Sequence, residues 1–255
     1  HDAIKELYKR LNNTKICYIV DADIKGFFDH MKHEWIIKFL YLYIKDPNII
    51  GLVKKYLKVG VIDGGELMMN EEGSAQGNII SPILANIYMH NVLTLWYKFI
   101  ITKECKGDNF LIVYADDFVA GFQYKWEAEN YYKLLKERME KFGLQLEESK
   151  SRLLQSGAYI ARAKQKSGES TRLETFDFLG FTFYCGRSRK GMPYIMPKTS
   201  SKKFRQKIRD IKVWLYANRD QSLKKLMGML NLKLVGHYRY YGISFNGRMI
   251  SNYKQ

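Results

Sequence analysis

Cysteine and proline are scarce in this sequence, and long hydrophobic runs are absent. The three cysteines, Cys17, Cys105 and Cys185, form no CxxC pair, which argues against a disulfide framework and a zinc site. No stretch approaches the ~18 uncharged apolar residues of a membrane span, and the N-terminus has no signal-peptide pattern. These absences predict a soluble, intracellular protein with reduced thiols and no contact with membranes.

Acidic residues are scarce in the last part of the chain. Residues 187–255 contain 17 Lys and Arg but only Asp210 and Asp220, whereas residues 1–186 contain 25 basic and 24 acidic residues. The net charge of +16 therefore belongs to the C-terminal region. This asymmetry favours a surface that follows a phosphate backbone, the alternative being a merely solvated basic face. It also predicts two domains, with a boundary near residues 186–197.

Hydrophobic periodicity predicts a mixture of helices and strands without internal repeats. The first half of the chain is predicted to contain a helix at 1–11, a strand at 16–24, helices from 26 to 57 that break at Asp46-Pro47, and a hairpin at 60–73 with a Gly64-Gly65 turn. A long helix from Ser81, a hairpin of strands 110–114 and 118–122, and a helix at 128–142 follow. The last part is predicted to contain a loop at 161–175, a strand at 176–184, and basic helices after Pro197.

Two pairs of carboxylates stand at the ends of predicted strands. Asp21 and Asp23 lie on one face at the end of strand 16–24, and Asp116 and Asp117 occupy the tip of a hairpin. Unpaired acids beside apolar strands are costly unless a cation neutralises them, and Mg²⁺ prefers oxygen ligands. The pattern favours two-metal phosphoryl transfer. The alternative is that these are ordinary turn aspartates.

Five segments together carry a resemblance to the reverse transcriptases of bacterial group II introns, in the order and spacing of that family. They are residues 23–29 (DIKGFFD), 74–88 (SAQGNIISPILANIY), 114–118 (YADDF), 176–181 (FDFLGF) and 236–242 (GHYRYYG). The resemblance implies an α+β fold: a right-hand polymerase palm, with an antiparallel sheet and packed helices, followed by an α-helical thumb. It implies partial fingers and palm at residues 1–186, and a basic helical thumb, or maturase X-like domain, at 187–255.

The resemblance also implies roles for the acidic residues. Asp23, Asp116 and Asp117 correspond to the metal-binding triad, with the Ile24 carbonyl as a further ligand, while Asp21 is only a neighbour. The implied cofactor is a pair of Mg²⁺ ions, for which Mn²⁺ can substitute. Lys150 aligns with a residue that protonates the departing pyrophosphate, although a lysine near phosphates could equally serve as a plain electrostatic partner.

Nucleotide and nucleic-acid contacts follow from the same motifs. Phe28 corresponds to an aromatic gate beneath the sugar, which leaves no room for a 2′-hydroxyl and so favours deoxynucleotides. The full set of nucleotide-binding residues implied is Lys25, Gly26, Phe27, Phe28, Gln76 and Gly77. The primer grip implied is Phe178, Leu179 and Gly180. The thumb residues expected to contact nucleic acid are Lys202, Lys203, Arg205, Arg209 and Lys212.

The sequence departs from the family pattern at three places. Ala75 replaces the usual Pro before Gln76, and Asn78 replaces the usual Gly, so altered nucleotide handling is expected rather than inactivity. The segment 1–4 matches a motif that in relatives follows a long fingers segment, so most of the fingers is expected to be missing from this sequence.

The predicted function is RNA-directed DNA synthesis by a cytoplasmic bacterial protein. Its expected partners are an RNA template, a DNA primer, dNTPs and a group II intron RNA whose splicing and mobility it aids. The alternatives are a non-catalytic RNA-binding maturase and a relative recruited for host defence or diversity generation. Phe28 argues against an RNA-dependent RNA polymerase, and the five histidines have no cysteine partners that would form a nuclease module.

Overall fold

A computed structural model of the chain describes residues 1–58, 61–63, 66–68, 72–73 and 79–254. The chain forms two compact units. The central unit comprises Lys15–Gln155, and the terminal unit comprises His1–Thr14 with Ser156–Gln255. The mixture of helices and antiparallel sheets confirms the predicted α+β class.

The helices were largely predicted by the apolar periodicity of the sequence. In chain order they are α1 (Asp2–Asn13), α2 (Phe27–His30), α3 (His33–Tyr43), α4 (Pro47–Lys58), α5 (Ser81–Met89), α6 (Thr102–Glu104), α7 (Lys125–Lys141), α8 (Ala158–Lys166), α9 (Ser201–Ala217), α10 (Leu223–Tyr241) and α11 (Gly247–Lys254). Helix α5 continues into α6 through π-helical turns at His90–Thr94 and Tyr97–Ile101.

All the strand pairs are antiparallel. The strands are β1 (Tyr18–Ala22), β2 (Val61–Asp63), β3 (Glu66–Met68), β4 (Asn109–Tyr114), β5 (Asp117–Phe122), β6 (Arg152–Gln155), β7 (Phe176–Phe178), β8 (Phe181–Arg187) and β9 (Pro193–Thr199). Within the described ranges the strands form three sheets, with the strand orders β4-β5-β1-β6, β2-β3 and β7-β8-β9. The first and second sheets belong to the central unit and the third belongs to the terminal unit.

The core of the central unit lies on one face of the four-stranded sheet. Val20 and Ala22 of β1 belong to the buried cluster, as the predicted alternation along this strand requires. Helix α7 covers the same face and contributes the buried Tyr131 and Leu135. It ends before Gly143, whose φ of +77° is a conformation that glycine adopts without strain. The C-terminal end of α7 therefore lies close to the end of the helix predicted at 128–142.

The terminal unit has a small sheet and long helices that are mostly exposed. Helix α9 buries no residue, and α10 buries only His237 and Tyr241. Basic side chains cover α9, whose sequence is SKKFRQKIRDIKVWLYA. Helices of this kind present charge to the solvent rather than building a core.

Two predicted elements differ from the structure. Helix α8, which ends at Lys166, occupies the first residues of the loop predicted at 161–175. In place of the single strand expected at 176–184, the structure has the hairpin of β7 and β8. The range 186–197, where a domain boundary is expected, includes the end of β8, the turn and most of β9, and these two strands pair along Phe181–Arg187. Because compactness alone does not define functional domains, the division into 1–186 and 187–255 stays a prediction.

Two further predictions concern the hairpin near residue 60 and membranes. Strands β2 and β3 confirm the hairpin, while its Gly64-Gly65 turn lies outside the described residues. Within the described ranges, no helix combines the length and the apolar character needed to cross a membrane.

Candidate active site

Strand pairing brings the predicted aspartates to one end of the central sheet. Ala22 of β1 pairs with Phe118 of β5, so Asp23 and Asp117 stand one residue beyond this pair on neighbouring strands. Asp116 lies in the turn between β4 and β5, because Tyr114 pairs with Asp117. Local sequence predicted the acidic residues, and the antiparallel register places them at the same end of the sheet.

The turn that carries Asp116 has an unusual backbone. Ala115 has a φ of +55°, in the left-handed region where a residue with a Cβ is strained. Asp116 is partly buried and Asp117 is exposed. Strained turn residues concentrate where a functional side chain must be held in one orientation. The tight two-residue turn therefore fixes the positions of both carboxylates relative to β1.

Asp23 is held by the segment that precedes β6. Its N–H donates to Ser151 Oγ (3.2 Å), and its carbonyl accepts the Glu147 N–H (2.8 Å). Lys150 in the same segment donates from Nζ to Asp23 Oδ2 at 2.8 Å. This hydrogen bond, together with the charge of Asp23, raises the pKa of Lys150, so the ammonium form is favoured. The predicted proton donor and the first triad residue are thus in contact.

Asp21 has a different partner. Its Oδ2 lies 3.6 Å from Arg152 Nε, and the two residues are paired between β1 and β6. The charge of Asp21 is therefore balanced by a guanidinium at the sheet edge. This arrangement agrees with the interpretation that Asp21 is a neighbour of the triad and not a member of it.

The donor chemistry of the site fits a hard divalent cation. Asp23, Asp116, Asp117 and the carbonyl of Ile24 supply only oxygen ligands, which Mg²⁺ and Mn²⁺ accept. Among the residues that the structure describes, no three His, Cys, Asp or Glu side chains are grouped closely enough to hold a metal ion. The ligand set therefore stays a prediction.

The segment after Asp23 places two phenylalanines differently. Lys25 donates its N–H to the Gln145 carbonyl (2.9 Å), and Gly26, with a φ of +51°, is the N-cap residue that precedes helix α2. Phe27 is buried in the core, whereas Phe28 is only partly buried, with its ring centroid 5.4 Å from that of Phe27. Of the two residues, only Phe28 keeps part of its surface exposed. The predicted nucleotide contacts Gln76 and Gly77 lie outside the described residues.

The predicted primer grip is a tight hairpin turn in the terminal unit. Leu179 and Gly180 connect β7 and β8 with φ values of +49° and +79°. Tyr240 donates its hydroxyl to the Leu179 carbonyl (2.8 Å), and the ring centroids of Phe181 and Tyr241 lie 5.2 Å apart. Helix α10 therefore holds this turn, a contact between two motifs that the sequence did not reveal.

The predicted nucleic-acid contacts lie along α9 and share exposure to solvent. They are Lys202, Lys203, Arg205, Arg209 and Lys212. None of them forms an ion pair with a residue in the described part of the chain. Unpaired cations on one helix suit a surface that contacts phosphates.

Comparisons with known proteins give the family context. The family model described as "Reverse transcriptase (RNA-dependent DNA polymerase)" matches residues 2–183. The group II intron-encoded protein LtrA of Lactococcus lactis subsp. cremoris is 34% identical over 108 residues, which are 42% of this chain and 17% of LtrA. Protein YkfC of Escherichia coli is 31% identical over 93 residues, which are 35% of this chain and 24% of YkfC. The matched segments therefore span a small part of each relative.

Solved structures share the fold at low sequence identity. Apo telomerase from Candida tropicalis has a TM-score of 0.56 at 15% identity, covering 91% of this chain and 38% of that one. Telomerase from Candida albicans in complex with a TWJ fragment of telomeric RNA has a TM-score of 0.53 at 14% identity, covering 99% and 42%. These likenesses confirm the predicted α+β fold of a polymerase palm and thumb.

Proposed function

Because this chain belongs to the reverse transcriptase (RNA-dependent DNA polymerase) family, we propose that its aspartate site extends a DNA primer on an RNA template. One observation carries this proposal. The pairing of β1 with β5 places Asp23, which follows β1, beside Asp117, which begins β5, and Asp116 lies in the adjoining turn. An RNA-binding role alone would not require three carboxylates at one end of the sheet.

In the proposed site, Asp23, Asp116, Asp117 and the Ile24 carbonyl hold two Mg²⁺ ions. When bound, such ions activate the attacking hydroxyl and stabilise the charge that develops on the transferred phosphoryl group. The contribution of the chain is to present oxygen ligands from two paired strands and a strained turn. Hydrogen bonds from and to the Asp23 backbone keep the first of these strands in register with the Lys150 segment.

Lys150 is the proposed donor of a proton to the departing pyrophosphate. Its Nζ is in contact with the Asp23 carboxylate, so it lies beside the reacting centre, and its raised pKa keeps it protonated at neutral pH. A positioned acid of this kind contributes typically ~10²–10⁴-fold to the rate.

Phe28 is the proposed discriminator between sugars. Its ring packs edge-on against buried Phe27, and the residue is only partly buried, so we propose that its ring contacts the sugar. A fixed ring beneath the sugar excludes a 2′-hydroxyl. Lys25, Gly26, Phe27, Gln76 and Gly77 are proposed to complete the nucleotide contacts.

The terminal unit is proposed to hold the nucleic acid. Phe178, Leu179 and Gly180 contact the primer end, and the basic residues of α9 follow the template–primer duplex by its phosphates. The similarity to a group II intron-encoded protein supports an intron RNA as a further partner. The compartment proposed is the bacterial cytoplasm.

Primer extension by the purified protein tests the proposal directly. We expect extension of a DNA primer on an RNA template with dNTPs and Mg²⁺, and little extension with rNTPs. Binding of intron RNA without extension on any template would favour the non-catalytic maturase instead. Equal use of both sugars would contradict the role of Phe28.

A further inference from the structure

A cavity is lined only by residues of the terminal unit, whereas the proposed catalytic aspartates belong to the central unit. It has a volume of about 360 Å³ and lies among helices α9, α10 and α11. Ligand pockets in proteins begin at roughly 300 Å³. Its wall combines two lysines, one aspartate, three tyrosines and a histidine with apolar side chains. Gly236, His237, Tyr240 and Tyr241 belong to the motif segment 236–242, and Tyr240 also holds the Leu179 turn.

His237 is the unusual group in this wall. It is only 6% exposed, yet neither Nδ1 nor Nε2 has a hydrogen-bond partner among the described residues. Its ring stacks on Tyr253, with centroids 3.7 Å apart, and is tilted against Tyr241 at 4.7 Å. Tyr253 therefore stacks on the imidazole, and both ring nitrogens are buried without a partner among the described residues. Buried polar atoms are normally satisfied, so these nitrogens point to a ligand.

The polar character of the cavity narrows the class of ligand. Burial, with a smaller effect from the charge of Lys207, lowers the pKa of His237, so its imidazole is neutral at neutral pH. A neutral imidazole offers one donor and one acceptor. Lys207 and Lys233 also line the cavity. Neither forms an ion pair with a described residue, and Lys233 Nζ lies 5.0 Å from the centroid of the Trp214 ring. Asp210 Oδ1 accepts a hydrogen bond from Gln206 (2.7 Å).

We propose that this cavity binds a nucleoside phosphate, with the base against His237 and the tyrosine rings and the phosphate on Lys207 and Lys233. Inorganic phosphate would engage the lysines but leave the His237 nitrogens unsatisfied. An apolar ligand would satisfy neither. A nucleobase has flat faces that stack on aromatic rings and an edge that both donates and accepts. The source of the ligand is either a free mononucleotide or an unpaired nucleotide of a single strand.

Gly236 provides a way to close the cavity without disturbing its walls. It lines the cavity, and a Cβ added there meets no heavy atom within 4 Å. A leucine at this position therefore extends into open space and replaces a residue of low helix propensity. Gly228 on the same helix is equally open but is not part of the cavity wall. The variants Gly236→Leu and Gly228→Leu thus form a matched pair.

The test is an NMR titration of the whole protein labelled with ¹⁵N-histidine, with the His237 signal assigned from His237→Gln. AMP, UMP, adenosine and inorganic phosphate are added separately. We expect a saturable shift of the His237 signal with the nucleotides, a weaker response to adenosine and none to phosphate. Lys207→Gln should weaken binding about tenfold, while Lys225→Gln, an exposed residue outside the cavity wall, should not.

Gly236→Leu should abolish the shift without lowering the melting temperature, and Gly228→Leu should leave the shift unchanged. Replacing AMP and UMP by the oligonucleotides A6 and U6 identifies the source: a shift with the oligonucleotide alone assigns an unpaired nucleotide of a strand. The proposal is overturned if no nucleotide or oligonucleotide shifts His237, or if Gly236→Leu binds as the unchanged protein does. Loss of catalysis in an Asp116 variant would not affect this outcome.

Discussion

Lys150 donates a hydrogen bond from Nζ to Asp23 Oδ2 over 2.8 Å. The two residues are separated by 127 positions in the sequence and meet because the segment before β6 lies against the end of β1. A predicted proton donor and a predicted metal ligand therefore occupy one site.

Substitution of Lys150 separates its two possible roles. If it donates a proton to pyrophosphate, both Lys150→Met and Lys150→Arg should slow single-nucleotide addition by about a hundredfold, since arginine keeps the charge but does not release a proton. Rapid-quench measurement of single-turnover rates checks this. Lys136→Met is the matched control, because it breaks another surface ion pair, with Glu148 at 2.8 Å, and should leave the rate unchanged. A Lys150→Arg variant with the unchanged rate would contradict proton donation and assign an electrostatic role.

Shortening Phe28 should relax the choice of sugar. Phe28→Ala removes the partly exposed ring, so the ratio of kcat/KM for dNTP over rNTP should fall by at least about tenfold. Phe28→Tyr keeps the ring and should retain discrimination. Steady-state kinetics with matched dNTP and rNTP pairs measures the ratio. An unchanged ratio in Phe28→Ala would show that another residue excludes the 2′-hydroxyl.

Two buried tyrosines of the central unit should respond oppositely to loss of their hydroxyls. Tyr88 donates to the Phe142 carbonyl, whereas the Tyr131 hydroxyl has no partner among the described residues. Tyr88→Phe should therefore lower the free energy of unfolding by about 1–2 kcal/mol, and Tyr131→Phe should leave it unchanged or raise it. Urea denaturation followed by circular dichroism gives both values. The reverse order would contradict the hydrogen bonding described.

The basic residues of α9 should determine how strongly nucleic-acid binding depends on salt. Each of Lys202→Gln, Arg205→Gln and Arg209→Gln should weaken binding of an RNA–DNA duplex and reduce the slope of log K against log salt by about 1. Fluorescence anisotropy at several salt concentrations measures the slope. Lys103→Gln, an exposed residue of α6, serves as the control. Slopes that do not change would remove α9 from the interface.

Much of the fold followed from local sequence because its determinants are local. Alternation along strand 16–24 predicted that Asp21 and Asp23 share one face, and Val20 and Ala22 on the other face belong to the core. Apolar periodicity predicted α7. Strand β6 was missed because Arg152–Gln155 is short and of mixed polarity, and only its pairing with β1 makes it a strand. The β7–β8 turn was missed because Leu179 adopts a φ of +49°, which a sequence pattern does not predict for leucine.

The candidate site likewise contains some residues that local sequence predicted and others that it did not. The aspartates were predicted because acids at strand ends are a local pattern, and the motifs supplied their roles. Ser151 and Arg152 were not predicted, because their contacts with Asp23 and Asp21 arise only from the pairing of distant segments. Ser151 directly follows Lys150, a predicted site residue, and this proximity in sequence could have made Ser151 a candidate as well. The roles of Gln76 and Gly77 stay predictions.

The rate of primer extension by Asp116→Asn tests the central claim most directly. Asparagine keeps the size of the side chain in the β4–β5 turn but removes its charge. Single-turnover extension of a DNA primer on RNA should slow by at least about a thousandfold, while Asp220→Asn, an exposed residue after α9, should retain the unchanged rate. Extension by Asp116→Asn at the rate of the unchanged protein would contradict the assignment of the active site.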